Sequence, residues 1–410
     1  MRPDHMFEIQ KIRSKFPILD QKVYEKPLVY FDNGATTQKP DSVIKRVQSV
    51  YTEQNSNIHR GVHFLSTQMT EMYEASRDSV RQFIHAEKTN EIVFTKGTTD
   101  SINLAAFTFG ERYITEGDQI MVAQTEHHSN IVPWQILCKR KKAVLKVIPV
   151  SSSGEIDLEA YKTMLSKRTR LVTFAHVVNS LGVVNPVKEM TEAAHEAGAK
   201  VLIDGAQAIQ HFEVNVQDLD CDFYAFSGHK LYAPTGIGVL YGKEALLNEL
   251  PPYQGGGDMI KTVSFEHTEY ADLPLKFEAG TPHYAGAVGL GEAIKFIDKI
   301  GLDLIHKHES DVMDYASTKL LTIKGLRIYG YTGKNASIIS FLLDGIHFYD
   351  TGVILDKLGI AVRTGTHCAE PTMKHFGILG TVRASFAMYN TKEEVDILYD
   401  GLLRVKKMFS

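Results

Sequence analysis

The stretch Phe223-Tyr224-Ala225-Phe226-Ser227-Gly228-His229-Lys230 decides how this chain is read. Its apolar, aromatic start reads as a strand buried on both faces. The chain then passes through Ser, Gly and His to a lysine. Lysines are seldom buried, and a surface lysine in a turn is the commoner meaning of such a residue. Burial favours the uncharged amine, however, and that amine is a nucleophile toward aldehydes.

Upstream, Val201-Leu202-Ile203-Asp204-Gly205-Ala206-Gln207 is a second apolar run, and it ends in a carboxylate. An amine to hold an aldehyde and an acid to keep a pyridine nitrogen protonated are the two requirements of pyridoxal phosphate. The ends of neighbouring strands are also where an α/β sheet presents its ligands. Lys230 and Asp204 together therefore point to that cofactor, where either alone is weak.

Outward from this pair, strands and helices alternate. Apolar runs at 28–31, 91–95, 119–123, 144–150, 171–177 and 201–204 read as strands, and 98–109, 130–139, 157–165 and 186–197 as helices. A short helix is expected over 6–16. Such alternation predicts a largely parallel sheet with helices on both faces. The pattern changes after Tyr241: 251–257 is glycine-rich, and periodicity is lost until about Gly286. Helices over 286–300 and 302–321 follow, with strand-like runs at 337–343, 361–364 and 382–387. The expected organisation is a large cofactor-binding domain over 20–285, and a smaller α+β domain made of 1–19 and 286–410.

At 410 residues, 43% hydrophobic and 23% charged, the composition is that of a soluble globular protein with more than one core. The net charge of −4 argues against nucleic acid as a partner. The one dense basic run, Lys139-Arg140-Lys141-Lys142, reads as the solvated end of a helix without interleaved aromatics. No apolar stretch reaches a membrane span, and 1–5 lack the apolar core of a signal sequence, so a cytoplasmic location is expected. Cys138, Cys221 and Cys368 make neither a disulfide framework nor a zinc pattern, and no metal is expected.

Several further groups carry chemistry. Gly97-Thr98-Thr99, between a strand and a helix, suits a phosphate or a plain helix cap, and Ser227 and His229 can complete a cradle. In Glu126-His127-His128-Ser129-Asn130 an imidazole can lie flat on a pyridine ring, or serve as a cap or half a metal site. Asn179 and Gln207 stand just beyond strands and offer amides to a phenolic oxygen, or are turn residues. Cys368 sits in the polar loop 363–371 beside His367, the setting of a reactive thiolate, while Cys138 and Cys221 lie among apolar residues. Arg383, within a strand, wants a carboxylate for its planar fork.

With these residues assembled, the chain resembles the cysteine desulfurases of the class V aminotransferase family, and most of all the group II type that serves the SUF iron–sulfur assembly system. The blocks 32–40, 59–63, 95–99, 126–134, 201–207, 226–230, 277–282, 363–371 and 380–391 carry the resemblance in order, from Phe31 to the C-terminus. The most specific is Arg363-Thr364-Gly365-Thr366-His367-Cys368-Ala369. The resemblance implies the aspartate-aminotransferase-like fold of pyridoxal phosphate enzymes and a homodimer. It further implies that L-cysteine is converted to L-alanine, with sulfur left as a persulfide on Cys368 and passed to an acceptor protein of the SUF system. Selenocysteine is a second implied substrate.

Carried over by position, Lys230 would hold pyridoxal 5′-phosphate, Asp204 would pair with its ring nitrogen and His127 would stack on the ring. Asn179 and Gln207 would donate to the phenolic oxygen, and Thr98, Thr99, Ser227 and His229 would bind the phosphate, with Thr281 reaching in from a neighbouring subunit. Arg383 would clamp the substrate carboxylate, with Arg363 and His59 nearby, and His367 would assist the thiol. Thr366 stands where a second histidine is usual, Val178 where a serine is frequent and Gly34 where an alanine is frequent. Two other readings remain open on the sequence: a different pyridoxal phosphate enzyme of this fold, such as a selenocysteine lyase or an aminotransferase, and a non-catalytic scaffold or thiol sensor.

Overall fold

Alternate residues of the two deciding strands bury into two different cores, which is why both runs are apolar throughout. Val201, Ile203, Tyr224 and Phe226 enter one core. Leu202, Phe223 and Ala225 enter the other, on the opposite face of the sheet. The structure is a computed structural model that describes residues 7–409. Met6, the first residue of the expected N-terminal helix, and the stretch 1–5 lie outside them; the helix within is Ile9–Arg13.

The large sheet has seven strands: β1 (Ile92–Thr95), β2 (Gln119–Ala123), β3 (Val144–Ile148), β4 (Thr169–Ala175), β5 (Lys200–Asp204), β6 (Phe223–Ser227) and β7 (Gly238–Gly242). Their spatial order is β1-β7-β6-β5-β4-β2-β3. All run parallel except β7, which pairs antiparallel with both β1 and β6. The largely parallel expectation holds, and β7 is the strand the pattern does not announce. It is bounded by glycines, which read as turn signals. Gly238 is required there, because a Cβ would lie 2.3 Å from the Cα of Gly97 on the neighbouring turn.

Beyond β7 the supposedly irregular region holds a hairpin, Ile260–Val263 with Thr268–Tyr270. Its strands are mostly exposed, so no core imposes a period on their sequence. The following helix is Tyr284–Ile300, and its buried face joins the large core, as do Ile12, Phe16 and Leu19.

A second, antiparallel sheet comprises β8 (Leu326–Tyr329), β9 (Ile338–Leu343), β10 (Arg363–Gly365) and β11 (Thr381–Ser385), in the order β8-β9-β11-β10. Helices Leu302–Leu320 and Lys392–Met408 pack on it through Val312, Ala316, Leu398 and Leu402. Val29 and Phe31 belong to this smaller core. The expected strand 361–364 is two strands: Ile360–Ala361 pairs in parallel with Val29–Tyr30, and β10 pairs with β11.

The loop after Tyr30 seams the two units. Asn33 Nδ2 donates to the carbonyl of Ser385 at 2.6 Å, and Gly34 N donates to Ser385 Oγ at 2.7 Å. That seam sets the end of β11, and with it Arg383, against the carboxyl ends of the large sheet.

Candidate active site

β1, β2, β4, β5 and β6 all point their carboxyl ends to one side, and a cavity of about 180 Å³ opens there. Lys230, Asp204, His127, Asn179, Gln207, Thr98, Thr99, Ser227 and His229 line it, together with Arg363, Cys368 and Arg383 from the smaller unit. Residues up to 349 positions apart in the chain, Gly34 to Arg383, therefore share one chamber.

Asp204 closes β5 and Lys230 follows β6, its neighbour in the sheet. Burial drives the Lys230 amine down to about 8; Asp204 opposes this, and the guanidinium charges of Arg383 and Arg363 add to it. Asp204 is 5% exposed. Burial holds its carboxyl above the usual range, although the Ala206 N–H donates to Oδ1 at 3.0 Å and Lys230 pulls the other way. A buried acid raised in this manner gains most from a cationic partner such as a protonated ring nitrogen.

The peptide ahead of Lys230 is held with unusual thoroughness. The His229 carbonyl accepts from Thr37 N at 3.1 Å, Thr36 Oγ1 at 3.0 Å, Thr37 Oγ1 at 3.1 Å and Lys39 Nζ at 3.0 Å. Burial also lowers His229 to about 4, so its imidazole is neutral.

At the other end of the chamber, helix Thr98–Tyr113 begins after Gly97, whose φ of 152° suits glycine. Ser227 Oγ accepts from Thr98 N and lies beside Thr98 Oγ1, both at 2.8 Å. Free N–H groups and hydroxyls at a helix N-terminus form an anion seat.

His127 is set by Ser129, whose N–H donates to Nδ1 at 3.1 Å and whose hydroxyl lies 2.7 Å from the same nitrogen. Burial lowers His127 to about 4, with Lys230 adding repulsion, so a neutral ring faces the cavity. Beneath it Glu126 is fully buried; burial pushes its carboxyl up to about 8, while Asn130 Nδ2 and Ala175 N donate to it at 2.6 and 2.8 Å.

The two amides stand differently from the expectation. Asn179 Nδ2 donates to the His367 carbonyl at 2.8 Å, and Gln207 Nε2 to the Gly34 carbonyl at 2.7 Å. Their buried oxygens, Oδ1 and Oε1, have no partner among the described residues. Oriented so, each offers an acceptor, not a donor, to whatever fills the chamber.

Arg383 and Arg363 lie directly opposite each other in the β10–β11 register. Like charges so placed repel. Asp32, 3.4 Å from Arg383 Nη2, is the one carboxylate paired with either among the described residues. Arg383 Nη1 donates to the Asn179 carbonyl at 2.9 Å, and Nε is buried without a partner. Burial lowers this guanidinium to about 10, Asp32 resists the shift and Arg363 adds to it. The pair therefore lacks an anion. Gly34 fits the same crowding, since a Cβ there would sit 3.1 Å from the Arg383 guanidinium.

Cys368 is partly exposed at the cavity, whereas Cys138 and Cys221 are buried. The assistance expected from His367 does not match its setting. It is 4% exposed, its Nε2 is 2.8 Å from Thr381 Oγ1, and burial with the two arginines lowers it to about 2. A neutral, engaged imidazole supplies no charge to the thiol.

His59 and Thr281 do not line the chamber. His59 Nε2 lies 3.0 Å from Glu74 Oε1, and Thr281 is exposed on this chain. Residue reasoning passed over Asp32, Lys39, Glu126 and Ser129. The signal for Ser129 is a hydroxyl two residues after a histidine, a local turn spacing; nothing local marks the others.

A family model, Aminotransferase class-V, matches residues 29–398. The chain belongs to this family. Within it the likeness is to cysteine desulfurases. A probable cysteine desulfurase of Halalkalibacterium halodurans is 48% identical over 97% of this chain and 98% of its own. The cysteine desulfurase of Synechococcus elongatus is 48% identical over 98% of this chain, which spans 64% of that longer protein. The apo structure of a cysteine desulfurase from Thermococcus onnurineus NA1 superimposes with a TM-score of 0.94 at 39% identity, covering 99% of both chains.

Pyridoxal 5′-phosphate is the cofactor of class V desulfurases, and the chamber fits it. Lys230 would hold its aldehyde, Asp204 would face the ring nitrogen, His127 the ring and the Thr98–Ser227 seat the phosphate, and all of them line this one chamber. The unpartnered Asn179 and Gln207 oxygens and the short-countered arginines are the groups a polar ligand would satisfy.

Proposed function

We propose that this chain is a pyridoxal phosphate-dependent cysteine desulfurase that forms L-alanine from L-cysteine and keeps the sulfur as a persulfide on Cys368. One observation carries the reading. The single chamber holds a lowered lysine, a buried acid, an anion-deficient arginine pair and a free thiol.

When bound, the cofactor withdraws electron density from the substrate's α carbon. Lys230, with its amine lowered to about 8, takes the α proton. Arg383 and Arg363 hold the substrate carboxylate by charge and geometry. The Cys368 thiolate attacks the substrate sulfur, so that an S–S bond forms as the C–S bond breaks. The electron pair remains with the carbon fragment, which is protonated to alanine. His127 closes the ring face against water.

The iron–sulfur role follows from the ordered SUF-type blocks, and an acceptor protein of that system would take the sulfur from Cys368. Selenocysteine fits the same chamber, with selenium as the atom attacked, and a cytoplasmic location suits the free thiols. Among the described residues, no helix is long and apolar enough to cross a membrane.

A homodimer is supported by three features. Thr281 is exposed on its own chain, the phosphate seat opens outward past Lys96, Asn103 and Tyr253, and Val62, Phe64, Val263 and Phe265 are exposed apolar residues. Light scattering after gel filtration should give twice the chain mass.

Incubation with L-cysteine followed by intact-mass analysis tests the activity. A gain of one sulfur atom mapping to Cys368, with release of alanine, is the expected result, and Cys368→Ser should abolish both. Transamination products in place of alanine would instead make the protein a different enzyme of this fold.

A further inference from the structure

His367 and Cys368 are consecutive non-glycine residues in the left-handed region, with φ of 55° and 56°. Such a pair persists only where its surroundings over-determine it. Each of the two carbonyls is pinned: that of His367 by Asn179 Nδ2 at 2.8 Å, and that of Cys368 by the His128 N–H at 2.9 Å.

The second pin reaches further than one hydrogen bond. The His128 imidazole meets the Glu370 carboxylate through Nε2. Glu370 Oε1 also accepts from Thr366 Oγ1 at 3.1 Å. One carboxylate thus ties Thr366, ahead of the thiol, to Glu370, behind it, and ties both to the loop that carries His127. Burial alone would raise the Glu370 carboxyl; its own N–H, the Thr366 hydroxyl and His128 hold it below the usual range. The short helix Glu370–His375 is anchored as well, with His375 Nε2 2.9 Å from the Ser151 carbonyl.

We propose that Thr366, His128 and Glu370 form a clip that holds the Cys368 loop against the loop carrying His127, which makes Thr366 and Glu370 positioning residues for the thiol. The proposal rests on the reading of Cys368 as the sulfur carrier. It also gives Thr366 a use where the resembled family has an imidazole. The threonine hydroxyl donates to Glu370 and aims the carboxylate at His128. A closed clip keeps the thiol at the cavity, where sulfur is taken up; an open clip lets it swing outward, where sulfur is handed on.

The test is the rate at which iodoacetamide alkylates Cys368 in the holoenzyme, read by peptide mass. Glu370→Ala should raise it about fivefold, the factor that ~1 kcal/mol of lost exposed pairing gives. Thr366→Val, which changes no charge, should act in the same direction, and Thr366→Ser should restore the parent rate. The double variant should be no faster than Glu370→Ala alone, because both changes open one clip. Persulfide formation in a single turnover should slow in the fast-alkylating variants. An unchanged rate in Glu370→Ala, simple additivity in the double variant, or Thr366→Ser behaving as Thr366→Val would each overturn the clip. Failure of the unmodified protein to gain sulfur on Cys368 would instead sink the carrier reading, and would leave the alkylation rates to stand on their own.

Discussion

Replacing Arg383 by lysine keeps the positive charge and removes only the planar fork. The guanidinium is 2% exposed, its Nη1 is committed to the Asn179 carbonyl, and its Nε is unpartnered. A substrate carboxylate has the Nε and Nη2 edge available to it, shared only with Asp32 at 3.4 Å. A lysine supplies one donor direction where the fork supplies two, so one charge-assisted hydrogen bond is lost. At about 1.5–3 kcal/mol for such a bond, kcat/KM for L-cysteine should fall roughly 10- to 150-fold, chiefly through KM. Alanine release measured over a range of L-cysteine concentrations reads this directly. Competition by cysteamine, which has no carboxylate, provides the control and should be unaffected. If cysteamine and L-cysteine weakened together, or if KM for L-cysteine did not move, Arg383 would be a structural cation and the carboxylate clamp would have to be sought elsewhere.

The Lys230 amine, at about 8 in the folded chain, binds fewer protons there than in the unfolded chain between about pH 8 and 10.4, so cofactor-free stability should rise with pH across that window. Lys230→Met should therefore raise the Tm of the cofactor-free protein below pH 8, with the gain shrinking toward pH 10; a gain independent of pH would count against a buried charge. Arg77 is fully buried and pairs with Glu278 at 2.6 Å, and Glu278 also accepts from Tyr73 and from Phe94 N. Arg77→Met should cost about 3–5 kcal/mol in urea unfolding because it strands that carboxylate, and Arg77→Met with Glu278→Leu should recover part of the loss. Ser129→Ala removes the hydroxyl beside His127 Nδ1 but leaves the Ser129 backbone N–H that donates to it. Cofactor Kd, read by absorbance titration, should rise about fivefold for the ~1 kcal/mol of one hydrogen bond, and an unchanged Kd would show that packing alone sets the ring.

The central strands of the large sheet were legible because they are buried on both faces, so the demand for apolar side chains is written into every position of 201–203 and 223–226. The Lys230–Asp204 pair was legible for the same reason, as polar groups at the ends of such runs stand out. Where burial is partial the record thins. The exposed hairpin after Ile260 left no period to read, whereas β7 is fully buried and was hidden instead by the glycines that bound it.

Residue type alone also fixed that Cys368, in a polar loop, differs from Cys138 and Cys221. Only the folded chain decided that His367 is a neutral, buried imidazole, that Arg363 faces Arg383 across two strands, and that Asn179 and Gln207 turn their N–H groups toward carbonyls. The reason is one of distance. A burial pattern is local and repeats along the chain, whereas the state of a side chain depends on partners such as Thr381, Asp32 and Gly34, whose approach is settled when the two sheets dock.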